Sequence, residues 1–429
     1  MEKLNEDFII NLSNNKGEPL WMKNFRLNSY KKFLELDNPS FGPKINIDFD
    51  NLVYHKGLFA PPSCSWENVD KKVKNTFNDL GVIEAENKYL KGVSNQYESE
   101  VIYHKMEESD GIIFLSTDEA LKKYPELFEK YFNNLVKYDE NKYTALNGAL
   151  WSGGSFIYIP PYTKVDRPLQ SYFRIDTKNL GQFERTIIIV DHDSSLHYIE
   201  GCTAKNYSTT SLHAGVVEIY VGKNSTCKYS TIQNWSKDVY NLVTKRAILE
   251  EGAYMQWVDG NIGSGVTMKY PSCILKGDNS KASSISIAYA KDGQHLDAGA
   301  KMIHLGKNTK STIISKSIAG FGGTSDYRGT VKIAKEATGS FATIKCDNII
   351  LDNISSSNTY PKNIVENNES TLEHETTISK INEEKLNYLM SLGISEDAAK
   401  DLYVLGFMSD FKKSLPMEYA VELNRLIKE

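Results

Sequence analysis

Cys346 is followed, within one short stretch, by Glu373-His374-Glu375. A thiolate, an imidazole and two carboxylates are the ligand types that hold iron or zinc in proteins. The other cysteines, Cys64, Cys202, Cys227 and Cys273, lie far apart, with no CxxC pair and no zinc-ribbon spacing. They do not suggest an all-thiolate site with four cysteine ligands. A resident iron–sulfur cluster is usually held by four thiolates; a mixed, under-ligated set suits a site that holds a cluster briefly and gives it away. Without any metal, the same residues read as a core thiol and a surface His–Glu pair. Alternate residues of an extended strand share a face. Glu373 and Glu375 would then point one way and His374 the other, unless the backbone turns or His374 faces a partner.

The elements that position these groups fall into three zones of a 429-residue chain, long enough for two to three domains. Residues 1–150 are mixed. Pro19 opens an amphipathic helix through Leu27, and Asp118–Leu121 and Glu126–Phe132 read as further helix. From 151 to 378 short β-rich runs recur, among them Thr186–Val190, Val216–Val221, Cys227–Ile232, Tyr254–Val258, Ser284–Tyr289, Thr312–Ser315 and Thr330–Ile333. Gly, Asn, Asp or Ser bounds each run, and no helical period persists. So many short strands make a sandwich, a barrel or a solenoid; only a solenoid grows without limit by stacking coils, so a β-helix is expected. From 379 to 429 the chain turns helical. Asn382 caps one helix that stops at Gly393, Ser395 caps a second that stops at Gly406, and Pro416 opens a third carrying Tyr419, Leu423 and Leu426.

The formal net charge of −5 argues against a general nucleic-acid binder, and no basic stripe is present. Five scattered cysteines suit a reducing compartment. The acidic N-terminus has no apolar h-region and no run approaches a membrane span, so a cytoplasmic chain is expected, or a stromal one if the source is organellar.

Ordered strings along the chain carry a resemblance. They are Gly201-Cys202-Thr203-Ala204, Thr231-Ile232-Gln233-Asn234-Trp235, Val243-Thr244-Lys245-Arg246, Lys269-Tyr270-Pro271-Ser272-Cys273, Lys301-Met302-Ile303-His304, Tyr327-Arg328-Gly329, Lys345-Cys346-Asp347 and Leu372-Glu373-His374-Glu375. With Gly393–Ala398 and Leu415–Ala420, they resemble the SufB/SufD family of the Suf iron–sulfur cluster assembly system over residues 145 to 429, and more weakly to the N-terminus. The resemblance implies a right-handed parallel β-helix with a helical C-terminal domain where an ATPase docks. It also implies a scaffold that is not itself an enzyme. The expected partners are a SufC-like ABC ATPase, a SufD-like paralogue or second copy of the chain, a persulfide donor of the cysteine desulfurase system, and apo iron–sulfur proteins. The cargo is a transient cluster, 4Fe–4S or 2Fe–2S. The chain has no nucleotide site of its own: Gly306-Lys307-Asn308-Thr309-Lys310-Ser311 lacks the second Gly and the Lys of a phosphate loop.

Residue by residue, Cys346 matches the family's cluster-assembly cysteine, with Glu375, His374 and, last, Glu373 as further iron-ligand candidates. Cys202 matches the cysteine where sulfur enters, although its neighbours Glu200 and Gly201 do not lower a thiol pKa. Arg174, Gln233, Trp235 and Lys245 match positions lining an interior path between the two cysteines, where they would stabilise an anionic sulfur species. Asp176 stands where the family more often has Asn, so it faces away or pairs with Arg174. Cys227 and Cys273 read as core, and His295 and His304 as satisfied surface histidines. Two other readings are weaker. A secreted, carbohydrate-active β-helix is disfavoured because no signal segment is evident and the marked residues are thiols. A SufD-like subunit without a cluster of its own is disfavoured by Cys346 together with Leu372-Glu373-His374-Glu375.

Overall fold

Each strand from Leu169 to Lys380 pairs in parallel with a strand one coil away, so the chain winds between two facing sheets as a β-solenoid of about eight turns. The computed structural model describes residues 3–57, 59–107, 111–205, 210–409 and Phe411. In the first sheet the parallel order is Gly92–Tyr97, Leu169–Ile175, Ser195–Ala204, Thr226–Asn234, Tyr254–Asn261, Lys281–Ala290, Lys310–Ala319, Phe341–Ile350 and Thr371–Lys380. Facing it run Ser155–Ile159, Arg185–Val190, Val216–Val221, Val239–Leu249, the broken pair Val266–Lys269 and Ser272–Leu275, then His295–His304, Thr324–Ile333 and Ser356–Val365. The first parallel strand, Gly92–Tyr97, comes from the N-terminal region, ahead of residue 150.

The coils stack because one corner repeats. Asp193, Asn224, Gly252, Asn279, Asn308 and Gly339 all take positive φ, between 54° and 69°. The amide N–H of each of the first five bonds a carbonyl of the next coil at 2.8 to 2.9 Å. Asn, Asp and Gly occupy such left-handed positions at the least steric cost. Between corners the side chains alternate. Inward positions such as Ile188, Leu196, Ile219, Cys227, Ala247, Met255, Cys273, Met302, Val331 and Ile344 form the central core, each no more than 3% exposed.

The outer faces are covered at both ends of the chain. Met22, Phe128, Phe132 and Trp151 of the N-terminal region pack over Phe156, Ile187 and Ile189 of the second sheet. Val404, Met408 and Phe411 pack over Ile232, Val258, Ile287 and Ile318 of the first. Lys316 Nζ donates to the carbonyl of Phe407 at 2.7 Å, tying this helix to the sheet. The helices Glu383–Ser391 and Glu396–Phe407 are capped by Asn382 and Ser395 as their sequences require. The second runs through Gly406, which was expected to stop it, because its apolar face stays packed to Met408. The third expected helix, at Pro416, lies outside the described residues. His304 is fully buried, not at the surface: both ring nitrogens meet hydroxyls, of Thr309 and Ser311, at 2.8 Å. Among the described residues no helix is long and apolar enough to cross a membrane.

Candidate functional site

Cys202 stands on the inward face of Ser195–Ala204, two residues after Glu200, so both side chains enter the solenoid interior. Its thiol lies 3.8 Å from Glu200 Oε1. Lys245, from the opposite sheet, meets the same carboxylate oxygen at 2.9 Å, and the Tyr229 hydroxyl donates to the other. One coil further, Lys269 Nζ bonds Asp259 Oδ1 at 2.9 Å and Gln233 Oε1 at 3.1 Å, and Thr231 donates to Asp259 at 2.6 Å. Asn241 Nδ2 donates to Gln233 Oε1 at 2.8 Å. His213 bonds Asn241 Oδ1 at 2.8 Å and Glu184 Oε1 at 2.7 Å. Every one of these side chains is within 2% of complete burial.

Six ionisable groups inside a solenoid remain charged only if paired. Burial pushes the Glu200 carboxyl up, and Lys245 and Tyr229 more than reverse it, holding it below the usual carboxylate range. Asp259 is likewise held low against burial by Lys269 and Lys245. Burial pulls His213 down, but Glu184 and Asn241 raise it above the ordinary imidazole value, favouring the protonated ring. Lys245 and Lys269 thus face Glu200 and Asp259, and His213 pairs with Glu184. The Cys202 thiol is pushed far above its usual value, by burial first and then by Glu200 and Glu184; Lys245 and Lys269 oppose the shift. Beside it, two donors, Gln233 Nε2–H and Trp235 Nε1–H, have no acceptor among the described residues. Trp235 packs with Cys202, Phe173 and Leu180, and its ring centroid is 4.7 Å from that of His213.

The strand registers align Ser171, Glu200, Thr231, Asp259, Ser286, Ser315, Cys346 and Thr376 as one inward column, each residue directly beside the next. Every member is polar or a thiol, next to a mainly aromatic and aliphatic inward column that includes Tyr198, Tyr229, Trp257, Ile313 and Ile344. From Glu200 to Cys346 the column spans roughly 24 Å, five steps at about 4.8 Å each. Across the interior the facing column runs Val243, Lys269, Ala298 and Tyr327. Cys202 and Cys346 therefore stand at the two ends of one stretch of this polar stripe.

Cys346 is 1% exposed and one strand short of the solenoid's open end. Burial pushes its thiol up to about 12, eased by the hydroxyls of Tyr327 and Thr376. Leu372, His374 and Thr376 line up beside Ala342, Ile344 and Cys346, on the inward side of the last strand. His374 is held by Asn363 at 3.0 Å and Thr376 at 3.1 Å. Glu373 and Glu375 register with Thr343 and Lys345 on the other side and are exposed. The last coil thus brings His374, rather than either glutamate, to the face that Cys346 shares. Among the described residues no three of His, Cys, Asp and Glu close around a point that would hold a metal ion.

The structure separates Arg174 from the other path candidates. Phe173 registers with Cys202 on the inward face, so Arg174, its chain neighbour, points outward. Its guanidinium pairs with Asp176 at 2.7 Å and donates to Thr203 at 3.1 Å. The Asp at 176 therefore neutralises Arg174. Glu200, Asp259, Lys269, His213 and Glu184 were missed by sequence reasoning. The signal was present for two of them, since period-2 counting places Glu200 on the face of Cys202 and Asp259 on the face of Trp257.

Comparison with known proteins gives the family. Residues 173–407 match the family model described as the SUF system FeS cluster assembly, SufBD core domain, and residues 68–171 match the SufBD protein N-terminal region. The iron–sulfur cluster assembly protein SufB of Bacillus subtilis (strain 168) is 52% identical over 99% of this chain and 92% of its own length. SufBD family proteins of Staphylococcus saprophyticus and Staphylococcus aureus (strain MRSA252) are 54% identical with the same coverage. The chain belongs to the SufB/SufD family of iron–sulfur cluster assembly proteins.

Proposed function

We propose that this chain is a scaffold on which a nascent iron–sulfur cluster is built at Cys346 from sulfur accepted at Cys202. The observation that carries this reading is the polar stripe, a continuous line of inward polar side chains whose middle stretch runs from Glu200, beside Cys202, to Cys346. A purely structural interior would be aliphatic there, since buried charges cost stability unless they serve as partners.

Sulfur enters by thiol–persulfide exchange: Cys202–SH and R–S–SH give Cys202–S–SH and R–SH, with no net redox change. The unpaired donors Gln233 and Trp235, with Lys245 and Lys269, stabilise the anionic sulfur species formed there. A small sulfide carrier covers the distance to Cys346. HS− takes the outer sulfur of Cys202–S–SH as HSS−, leaving Cys202–SH, and HSS− gives that sulfur to Cys346–SH, forming Cys346–S–SH and returning HS−. There His374 shares the inward face as the second iron ligand within the chain. Further ligands come from a partner docked on the last coil or from Glu375 and Glu373 after rearrangement. Reduction to sulfide takes two electrons from an external reductant. The finished cluster passes to apo-proteins.

The last coil supports a docking role. Ile354, Tyr360, Val365 and Ile378 are exposed there, and its strands end both sheets. A SufD-like paralogue or a second copy fits this end. A SufC-like ATPase fits the C-terminal helices, whose Tyr388, Met390, Leu392 and Leu402 remain exposed while Val404 and Met408 hold the sheet. The test is a persulfide donor labelled with radioactive sulfur, followed by peptide mapping of the complex with both partners. Label at Cys202 and Cys346 in the wild type, and at neither in Cys202→Ser, supports the relay. Label reaching Cys346 undiminished in Cys202→Ser refutes it.

A further inference from the structure

The Tyr327-Arg328-Gly329 string has no part in the relay described so far, yet its tyrosine shares a buried core cluster with Cys346. Tyr327 follows Lys269 and Ala298 in the column facing the stripe and precedes Thr359 of the last coil. It is 1% exposed, and its hydroxyl has no hydrogen-bond partner among the described residues. Within the shared cluster the phenol eases the burial-raised thiol of Cys346. The direction of the phenol is set by its neighbours. The ring lies back over Gly329, where an added Cβ would stand 2.6 Å from the phenol oxygen and 2.8 and 2.9 Å from ring carbons. Gly329 does not have a positive φ, so what it supplies is space for the ring. On the outer face Arg328 is clamped by Asp297 at 2.7 Å and stacks on the Tyr360 ring at 3.9 Å, which fixes the strand on either side of the inward tyrosine.

We infer that Tyr327 is a positioning residue that donates a hydrogen bond to sulfur carried on Cys346, so that the site binds a persulfide more tightly than the bare thiol accounts for. A neutral thiol is a weak acceptor. A phenylalanine would fill the same volume without burying an unpaired hydroxyl. When Cys346 becomes Cys346–S–SH, the sulfur beyond Sγ reaches further into the interior. Its anionic form turns a poor contact into a charge-assisted hydrogen bond. The phenol keeps its proton throughout, so the device needs no titration and no redox partner.

This inference rests on Cys346 being the sulfur-carrying cysteine, and the experiment separates the two claims. The full chain, in complex with its ATPase and paralogue partners, is equilibrated anaerobically with glutathione persulfide and glutathione at fixed ratio. The exchange is Cys346–SH plus G–S–SH giving Cys346–S–SH plus G–SH. Occupancy is read by persulfide-specific tagging and peptide mass. Tyr327→Phe is expected to lower the exchange constant at Cys346 roughly tenfold, the effect of one charge-assisted hydrogen bond, while Cys202 occupancy and the melting temperature stay at wild-type values. Gly329→Ala, which keeps the phenol but displaces the ring, is expected to lower it likewise. Equal Cys346 occupancy in wild type and Tyr327→Phe overturns the role of Tyr327. Absence of persulfide from wild-type Cys346, with Cys202 loaded, overturns the inference together with the reading it rests on.

Discussion

Removing the Lys245 ammonium isolates a buried charge. Lys245 and Glu200 are each 1% exposed and their atoms are 2.9 Å apart. Lys245→Met keeps the stem and deletes the cation, leaving the Glu200 carboxylate with the Tyr229 hydroxyl and the Cys202 thiol as its contacts. Breaking a buried pair from one side costs about 3–5 kcal/mol. The expected loss lies in that range at pH 8. It shrinks at pH 5, because Glu200, no longer held low by Lys245, takes up a proton in the folded state before it does in the unfolded chain. Lys245→Met/Glu200→Gln buries no charge at this pair and should recover to within about 1 kcal/mol of wild type, a coupling of at least about 2 kcal/mol. Anaerobic urea unfolding followed by far-ultraviolet circular dichroism measures all three proteins. A single variant that loses less than about 1 kcal/mol, or a double variant no more stable than the single, refutes the ion-pair reasoning. The folded double variant also separates stability from function: it should be stable and still slow in loading sulfur at Cys202, since the cation facing the stripe is gone.

Two further outcomes follow from the fold. Burial pulls His304 down to about 4. Its folded value lies below the unfolded one, so its contribution is fully present above about pH 6.5 and is lost as the pH falls towards 4. Between pH 7 and 5 the wild type should lose about 2 kcal/mol more than His304→Gln, read from urea midpoints; parallel curves would contradict the buried, neutral ring. At the repeated corner, Asn279 has φ 61°. Asn279→Gly should be nearly neutral and Asn279→Ala should cost about 1 kcal/mol, checked by thermal melts; equal melting temperatures would remove the left-handed corner as a determinant of coil stacking.

The architecture was legible because its signals are local. Runs such as Val216–Val221 are mostly apolar, and several in the second sheet are followed within a few residues by an Asp, Asn or Gly in a left-handed corner. Asn224, Asn279 and Asn308 show that part of the chain's asparagine content serves those corners. The resemblance marked the two cysteines, Gln233, Trp235 and Lys245, and the structure buries all five. The opposed directions of Glu375 and His374 followed from strand alternation alone. What stayed hidden depends on contacts between distant segments. Lys269 meets Asp259 because a broken strand of one sheet faces an intact strand of the other. Neither residue has a local pattern that announces the pair. His304 resembles a surface histidine until Thr309 and Ser311 fold back over it. Arg174 has the right type for an anion path and the wrong parity: one residue from an inward Phe173, it points out.

Cluster assembly on Cys346 is the central claim, and the most direct measurement is anaerobic reconstitution with ferrous iron and a persulfide donor, with the ATPase and paralogue partners present, read by Mössbauer spectroscopy. The account predicts cluster iron in the wild type and none above background in a folded Cys346→Ser variant, with Cys202→Ser regaining cluster when free sulfide is supplied. The wild-type cluster spectrum in Cys346→Ser would contradict it.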